Sequence, residues 1–207
     1  MSTQLERMEF VQKKNVNFPC FLVHPGKGSG IHQLRRVVAD HALLWIKYQY
    51  SSGRTQGCVI FDIDDTLVNH QEQIRQGFEF MTEMYADVHE LYPVHLITAR
   101  PDYTRAKTKE MLKKRNIHIP PDRLHMMDGD EYDNGDSEVV EKFKWDKMKK
   151  CMKEHENTVI ARFGDRLWDV AHLHSLNTYM KDIEETDCCI FFDPYLNGTL
   201  SAKLPGR

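Results

Sequence analysis

Three short runs of the chain place acidic, hydroxyl or guanidinium side chains directly after apolar segments. CVIF is followed by Asp62-Ile63-Asp64-Asp65-Thr66, VHLI by Thr98-Ala99-Arg100, and TVIARF by Gly164-Asp165 with Asp169 four residues further on. Asp62 and Asp64 would repel each other unless a cation lies between them or one carries a proton. A carboxylate beside Mg²⁺ is a competent phosphoryl acceptor and gives an aspartyl-phosphate. A neighbouring carboxylate can protonate the leaving oxygen and then activate water. The bland alternative, an acidic helix cap, is weakened by the apolar run just before Asp62. Thr98 offers a hydroxyl to a phosphate oxygen and Arg100 a two-pronged clamp, although Thr98 alone would also serve as a cap. Asp165 and Asp169 suit a Mg²⁺ held partly through water. So much negative charge around a phosphate also calls for a fixed cation. The lysines of Phe143-Lys144-Trp145-Asp146-Lys147 are its candidates.

These residues need elements to carry them. CVIF (Cys58 to Phe61), VHLI ending at Thr98, Leu124 to Met127 and TVIARF read as short buried strands. Cys188–Phe192 is a further candidate strand. Helical spacing runs from Ile31 to about Tyr50 and from about Gln71 to Leu91, where Ile74, Phe78, Met81, Tyr85 and Val88 step by four, three, four and three. Asp102 to Arg115 reads as a basic helix, and another follows the acidic loop Asp128 to Glu138 and ends near Glu154. Strands alternating with helices predict a parallel sheet covered on both faces. Ligands of such sheets lie beyond the carboxyl ends of the strands, and all three polar sets fall there. Residues 1–30, rich in proline and glycine, read as irregular. The GKGSG run lacks the spacing of a phosphate loop.

With 207 residues, 41% apolar, and a net charge of −3, the composition is that of an ordinary soluble protein with no global basic field. The five cysteines form no C-x-x-C pair and are expected to be reduced. The polar start MSTQLERMEF and the lack of a run of roughly 20 apolar residues predict a cytoplasmic protein without membrane contact. On that reading the N-x-T site at Asn197 carries no meaning.

FDIDDTL, LITAR, FK-x-x-K and FGDRLWD, in that order from Phe61 to Asp169, resemble the four motifs of the haloacid dehalogenase (HAD) superfamily. The first motif is highly specific, the fourth moderately so, and the other two are weak alone. The resemblance implies a three-layer Rossmann-like α/β fold with a parallel sheet. It implies Asp62 as nucleophile and Asp64 as general acid/base, with Thr98 and Lys144 holding the phosphate. Mg²⁺ would be held by Asp62, Asp165 and Asp169, and by the carbonyl of Asp64. Asp64 marks the phosphotransferase branch. Within the superfamily the chain is most similar to class III acid phosphatases, through the aromatic–lysine pair, Trp168 and the ending Lys203-Leu204-Pro205. It is comparably similar to the phosphatase half of phage polynucleotide kinase, through Thr98-Ala99-Arg100. Arg166 stands where a polar residue is more usual, and the secreted role of the acid phosphatases is not expected here.

About 30 residues separate the first two motifs and about 45 separate Thr98 from Lys144, too few for a full cap domain. The expected organisation is an N-terminal extension, residues 1–57, and a phosphatase core, residues 58–207. The expected substrate is a nucleotide or other small phosphomonoester, with a polynucleotide 3′-end or a phosphoprotein admitted by an open site. A non-catalytic phosphate-binding module is the rival from another class. The acidic loop departs from calcium-loop spacing at Tyr132. Lys107, Lys109, Lys113, Lys114 and Arg115 read first as a solvated face and second as a nucleic-acid groove. No histidine pattern points to zinc, and His172 and His174 read as surface or packing residues.

Overall fold

The computed structural model describes residues 9–12, 20–24, 31–69, 78–132, 137–171, 188–192 and 199–204. In chain order these form β1 (Glu9–Gln12), β2 (Cys20–His24), α1 (Ile31–Ser51), β3 (Cys58–Phe61), α2 (Glu79–His89), β4 (Val94–Pro101), α3 (Arg105–Lys113), β5 (Leu124–Met127), α4 (Gly129–Tyr132), α5 (Ser137–Glu154), β6 (Val159–Gly164), α6 (Leu167–Val170), β7 (Cys188–Phe192) and β8 (Leu200–Lys203). All eight strands share one sheet in the order β1-β2-β7-β8-β6-β3-β4-β5.

The half from β8 to β5 is parallel. From β3 the chain steps outward to β4 and β5, then returns to β6 on the other side of β3. That reversal makes the gap between the β3 and β6 ends the switch point of an open α/β sheet. Strand side chains alternate between the faces. Val59 and Phe61 join a core with α1, α2 and α3, through residues such as Val38, Met81 and Leu112. Cys58 and Ile60 join a second core with Phe143, Met148 and Cys151 of α5. Each fully buried aliphatic or aromatic side chain contributes roughly 1.5–3 kcal/mol, so both faces hold the strands in place. The Phe61 and Phe163 rings stack with centroids 4.5 Å apart. They sit immediately before Asp62 and Gly164-Asp165, so this contact sets the separation of the two strand ends.

From their sequence, residues 1–30 are expected to be irregular. The structure places β1 and β2 there, antiparallel to each other, with β2 antiparallel to β7 and β7 to β8. The sheet is therefore mostly parallel with an antiparallel extension. Strands of four and five residues, the second flanked by Pro19 and Pro25, have little local signal and depend on the ladder they join. Within residues 1–57, β1 and β2 extend the sheet through β7, and α1 packs in the main core.

The predicted β3 and β5 match residue for residue, and β4 runs three residues past Thr98. The start of the helix expected from Gln71 lies outside the described residues, as do His172, His174 and Asn197. Part of the acidic loop is helical, as α4 and the first turn of α5. Among the described residues no cap domain interrupts the fold, and no helix is long and apolar enough to cross a membrane.

Candidate active site

Asp62 leaves β3 with its backbone still in the ladder, its N–H donating to the Phe163 carbonyl at 2.9 Å. The chain then turns sharply. Leu67 and Val68 donate backbone N–H bonds to the Ile63 carbonyl at 2.9 and 3.0 Å, and Asp65 adopts φ +51°, a conformation that aspartate tolerates better than most residues. Asp62 is thereby fixed at the switch point and is 5% exposed.

Asp165 follows β6, and Asp169 lies in α6 with one carboxylate oxygen accepting the Arg166 backbone N–H at 3.0 Å. A Cβ added at Gly164 would overlap the Cβ of Asp169, so the carboxylate folds against bare backbone. One oxygen each from Asp62, Asp165 and Asp169 lies within 4.8 Å of the others, and all three residues are buried. Lys144, on α5, reaches into this group. Its Nζ donates to Asp62 Oδ1 at 2.6 Å and to Asp169 Oδ1.

Two of the three carboxylates thus share one ammonium, while Asp165 Oδ2 lies 3.5 Å from Arg166 Nε, and the electrostatics follow. Burial pushes the Asp62 carboxyl well above the usual range; Lys144 opposes this, and Asp169, Asp165 and Asp64 add to it. Burial, then Asp169, raises Asp165 to about 7. Burial works against a charged Lys144, but Asp169 and Asp62 outweigh it and its pKa is raised. Such a group is short of positive charge near neutral pH and binds either protons or a cation. Hard carboxylate oxygens at these separations suit Mg²⁺.

Arg100 was expected to clamp phosphate. The structure turns it onto Asp64, Nε donating to Oδ2 at 2.8 Å and Nη2 to Oδ1 at 2.7 Å. The side chain of Asp64 therefore stands outside the carboxylate trio, held in a fork by β4. Thr98 is buried within β4, three residues before its end, and its Oγ1 accepts the Arg100 N–H at 3.2 Å. Of the two candidate lysines, Lys144 enters the site, while Lys147 lies over the Phe143 ring with Nζ 5.4 Å from its centroid.

A small cleft of about 10 Å³ opens on Asp62, Lys144 and Asp169 and is also lined by Trp145, Trp168 and Arg162. Arg162 escaped the sequence reading. It is buried in β6 and donates to Met148 Sδ at 3.1 Å and Ser201 Oγ at 3.0 Å. Its signal was present as the single charge inside TVIARF. Compared with known proteins, the chain matches no family model, and no curated protein sequence matches it.

Proposed function

We propose that the chain is a Mg²⁺-dependent phosphomonoester hydrolase of the HAD type, working through an aspartyl-phosphate on Asp62. The observation that carries this reading is the buried trio Asp62, Asp165 and Asp169 at the switch point, with Lys144 shared between Asp62 and Asp169. The donors fit a hard divalent ion, which when bound supplies the positive charge that both the trio and a phosphate dianion require.

An ionised Asp62 oxygen forms the bond to phosphorus while the ester P–O bond breaks. Lys144 and the Thr98 hydroxyl bind non-bridging phosphate oxygens, where charge builds up during transfer. Asp64, as a carboxylic acid, gives its proton to the departing alkoxide. As a carboxylate it then takes a proton from the water that attacks phosphorus, which breaks the P–O bond to Asp62 and frees phosphate. Arg100 occupies both Asp64 oxygens, so it orients the acid/base, and the leaving group reaches Asp64 when one N–H gives way. The exposed Lys107 and Lys113 of α3 and Lys114 just after it, in the connection from β4 to β5, favour a nucleic-acid end as a second substrate class beside small phosphomonoesters.

The test is hydrolysis of p-nitrophenyl phosphate with Mg²⁺, with EDTA, and by Asp62→Asn. Turnover should vanish in chelator and fall on the order of 10⁴-fold in the variant, as when a covalent nucleophile is removed. A folded Asp62→Asn protein that hydrolyses at the wild-type rate would overturn the proposal. A wild-type protein that binds phosphate but turns over no substrate would instead identify a binding module.

A further inference from the structure

On the α5 face of the sheet, away from the carboxylates, three histidines and two cysteines from separate segments meet. Cys58 opens β3, His95 lies in β4, His125 in β5, Cys151 near the end of α5 and His155 just beyond it. All but His155 are buried. His125 Nε2 lies 3.0 Å from His95 Nδ1 and 3.5 Å from Cys151 Sγ. On the other edge of the His95 ring, Nε2 lies 2.8 Å from His155 Nε2. Ligand atoms of His95, His125 and Cys151 all fall within 4.8 Å of one another, and so do those of Cys58, His95 and His155.

The surroundings are apolar: Ile60, Ile97, Met127, Met148 and Val159 belong to the same cluster. Polar rings are costly there unless their nitrogens find partners. Hydrogen bonds along the row of rings are one solution. A tetrahedral Zn²⁺ site is another, with Zn–N near 2.0–2.1 Å and Zn–S near 2.3 Å, which puts ligand nitrogens about 3.3 Å apart and nitrogen and sulfur about 3.6 Å apart. The measured 3.0 and 3.5 Å are within a few tenths of an ångström of those edges. Imidazole and thiolate donors also select a borderline-soft ion over Mg²⁺. Burial, followed by His125 and His155, lowers the pKa of His95 to about 3, and burial, with Lys150 and Lys147, lowers that of His125 to about 4. Both rings are therefore in the neutral, ligating form.

We propose that His95, His125 and Cys151 hold a Zn²⁺ ion that ties α5 to β4 and β5. Binding displaces the Cys151 thiol proton to solvent, leaving the thiolate as ligand. The fourth position goes to water, since Cys58 groups with His95 and His155 rather than with His125 and Cys151. Cys151 is two turns from Lys144 on the buried face of α5, so the ion would anchor the helix that reaches the carboxylates. None of this depends on the phosphatase reading.

The experiment uses the full chain, with excess Mg²⁺ present to fill the carboxylate trio, titrated with Co²⁺ and then with Zn²⁺. A thiolate-to-cobalt charge-transfer band should grow to one equivalent and disappear as Zn²⁺ displaces Co²⁺. The carboxylate trio has no sulfur and cannot produce it. Cys151→Ser should lose the band and Cys58→Ser keep it, with circular dichroism confirming that both fold. Zn²⁺ should raise the melting temperature of the wild type and not that of Cys151→Ser. Absence of the band in the wild-type protein, or its survival in Cys151→Ser, would overturn the proposal.

Discussion

Among the described residues, two of the buried polar clusters invite comparison, and α5 contributes to both. At the strand ends, Asp62, Asp165 and Asp169 surround Lys144, and the group carries more negative than positive charge. On the face of the sheet, His95 and His125 meet Cys151 with no formal charge among them in their neutral forms. The first is hard, anionic and sited where loops leave the sheet; the second is soft, neutral and set among methionines and aliphatics. Position explains the contrast. Strand ends can present charge to solvent and to ligands, whereas a mid-sheet face tolerates only groups that can shed charge or satisfy one another.

The sharpest way to break this contrast is Lys144→Met. It would leave Asp62 and Asp169 buried without their ammonium. In chelator the expected loss of stability is about 3–5 kcal/mol, measured by urea unfolding, with part of it restored by Mg²⁺. Turnover with Mg²⁺ should fall on the order of 10²–10³-fold, the usual cost of removing a charge-stabilising donor. A variant as stable in chelator as the wild type would show that Lys144 does not compensate the trio.

A second test exploits opposite pH signs. Asp165 is raised to about 7 from an ordinary value near 4. Its proton is held more tightly in the folded chain, so that stabilisation is complete at low pH and is lost as pH rises from about 4 to about 7. His95 and His125 are lowered to about 3 and about 4. They take up protons more readily when unfolded, so stability is lost as pH falls below about 6.5. In metal-free protein the two trends oppose each other. Asp165→Asn should leave the histidine trend alone and make the melting temperature climb more steeply between about pH 4 and 6.5. Parallel profiles for variant and wild type would sink the assignment.

The smallest expected effect belongs to Lys147→Met. Lys147 rests on the Phe143 ring outside the trio, so stability should stay within about 0.5 kcal/mol of wild type and p-nitrophenyl phosphate turnover should not change. A large loss of turnover would exchange the roles of the two lysines.

The strand-end cluster was legible because its signals are local: an apolar run and then an acid at Asp62 and again at Asp165, with Thr98 and Arg100 after a third such run. The strand that carries Asp62 and the one ending at Met127 could be bounded from sequence for the same reason. Which lysine enters the site was not settled, yet the signal existed. Lys144, Met148 and Cys151 are spaced as one helical face, and that face is the buried one. The histidine cluster has no such signature. Its members come from β3, β4, β5 and α5 one at a time, with no spacing to link them, and only the register that sets Ile97 beside His125 brings the strands together. Arg100 misled for a related reason. Its position at a strand end is visible in sequence, but its choice of Asp64 over a phosphate is made by the turn after β3. Of the two N-terminal strands, β2 was hidden because its partner β7 lies more than 160 residues away in the chain, and β1 because it pairs with β2.

Gly164 contributes no side chain to any of this. Even alanine there would press directly on the carbon that carries the Asp169 carboxylate. A saturation scan should therefore score position 164 as harshly as the acids themselves, although it neither ionises nor donates through a side chain. What the molecule asks of that residue is room.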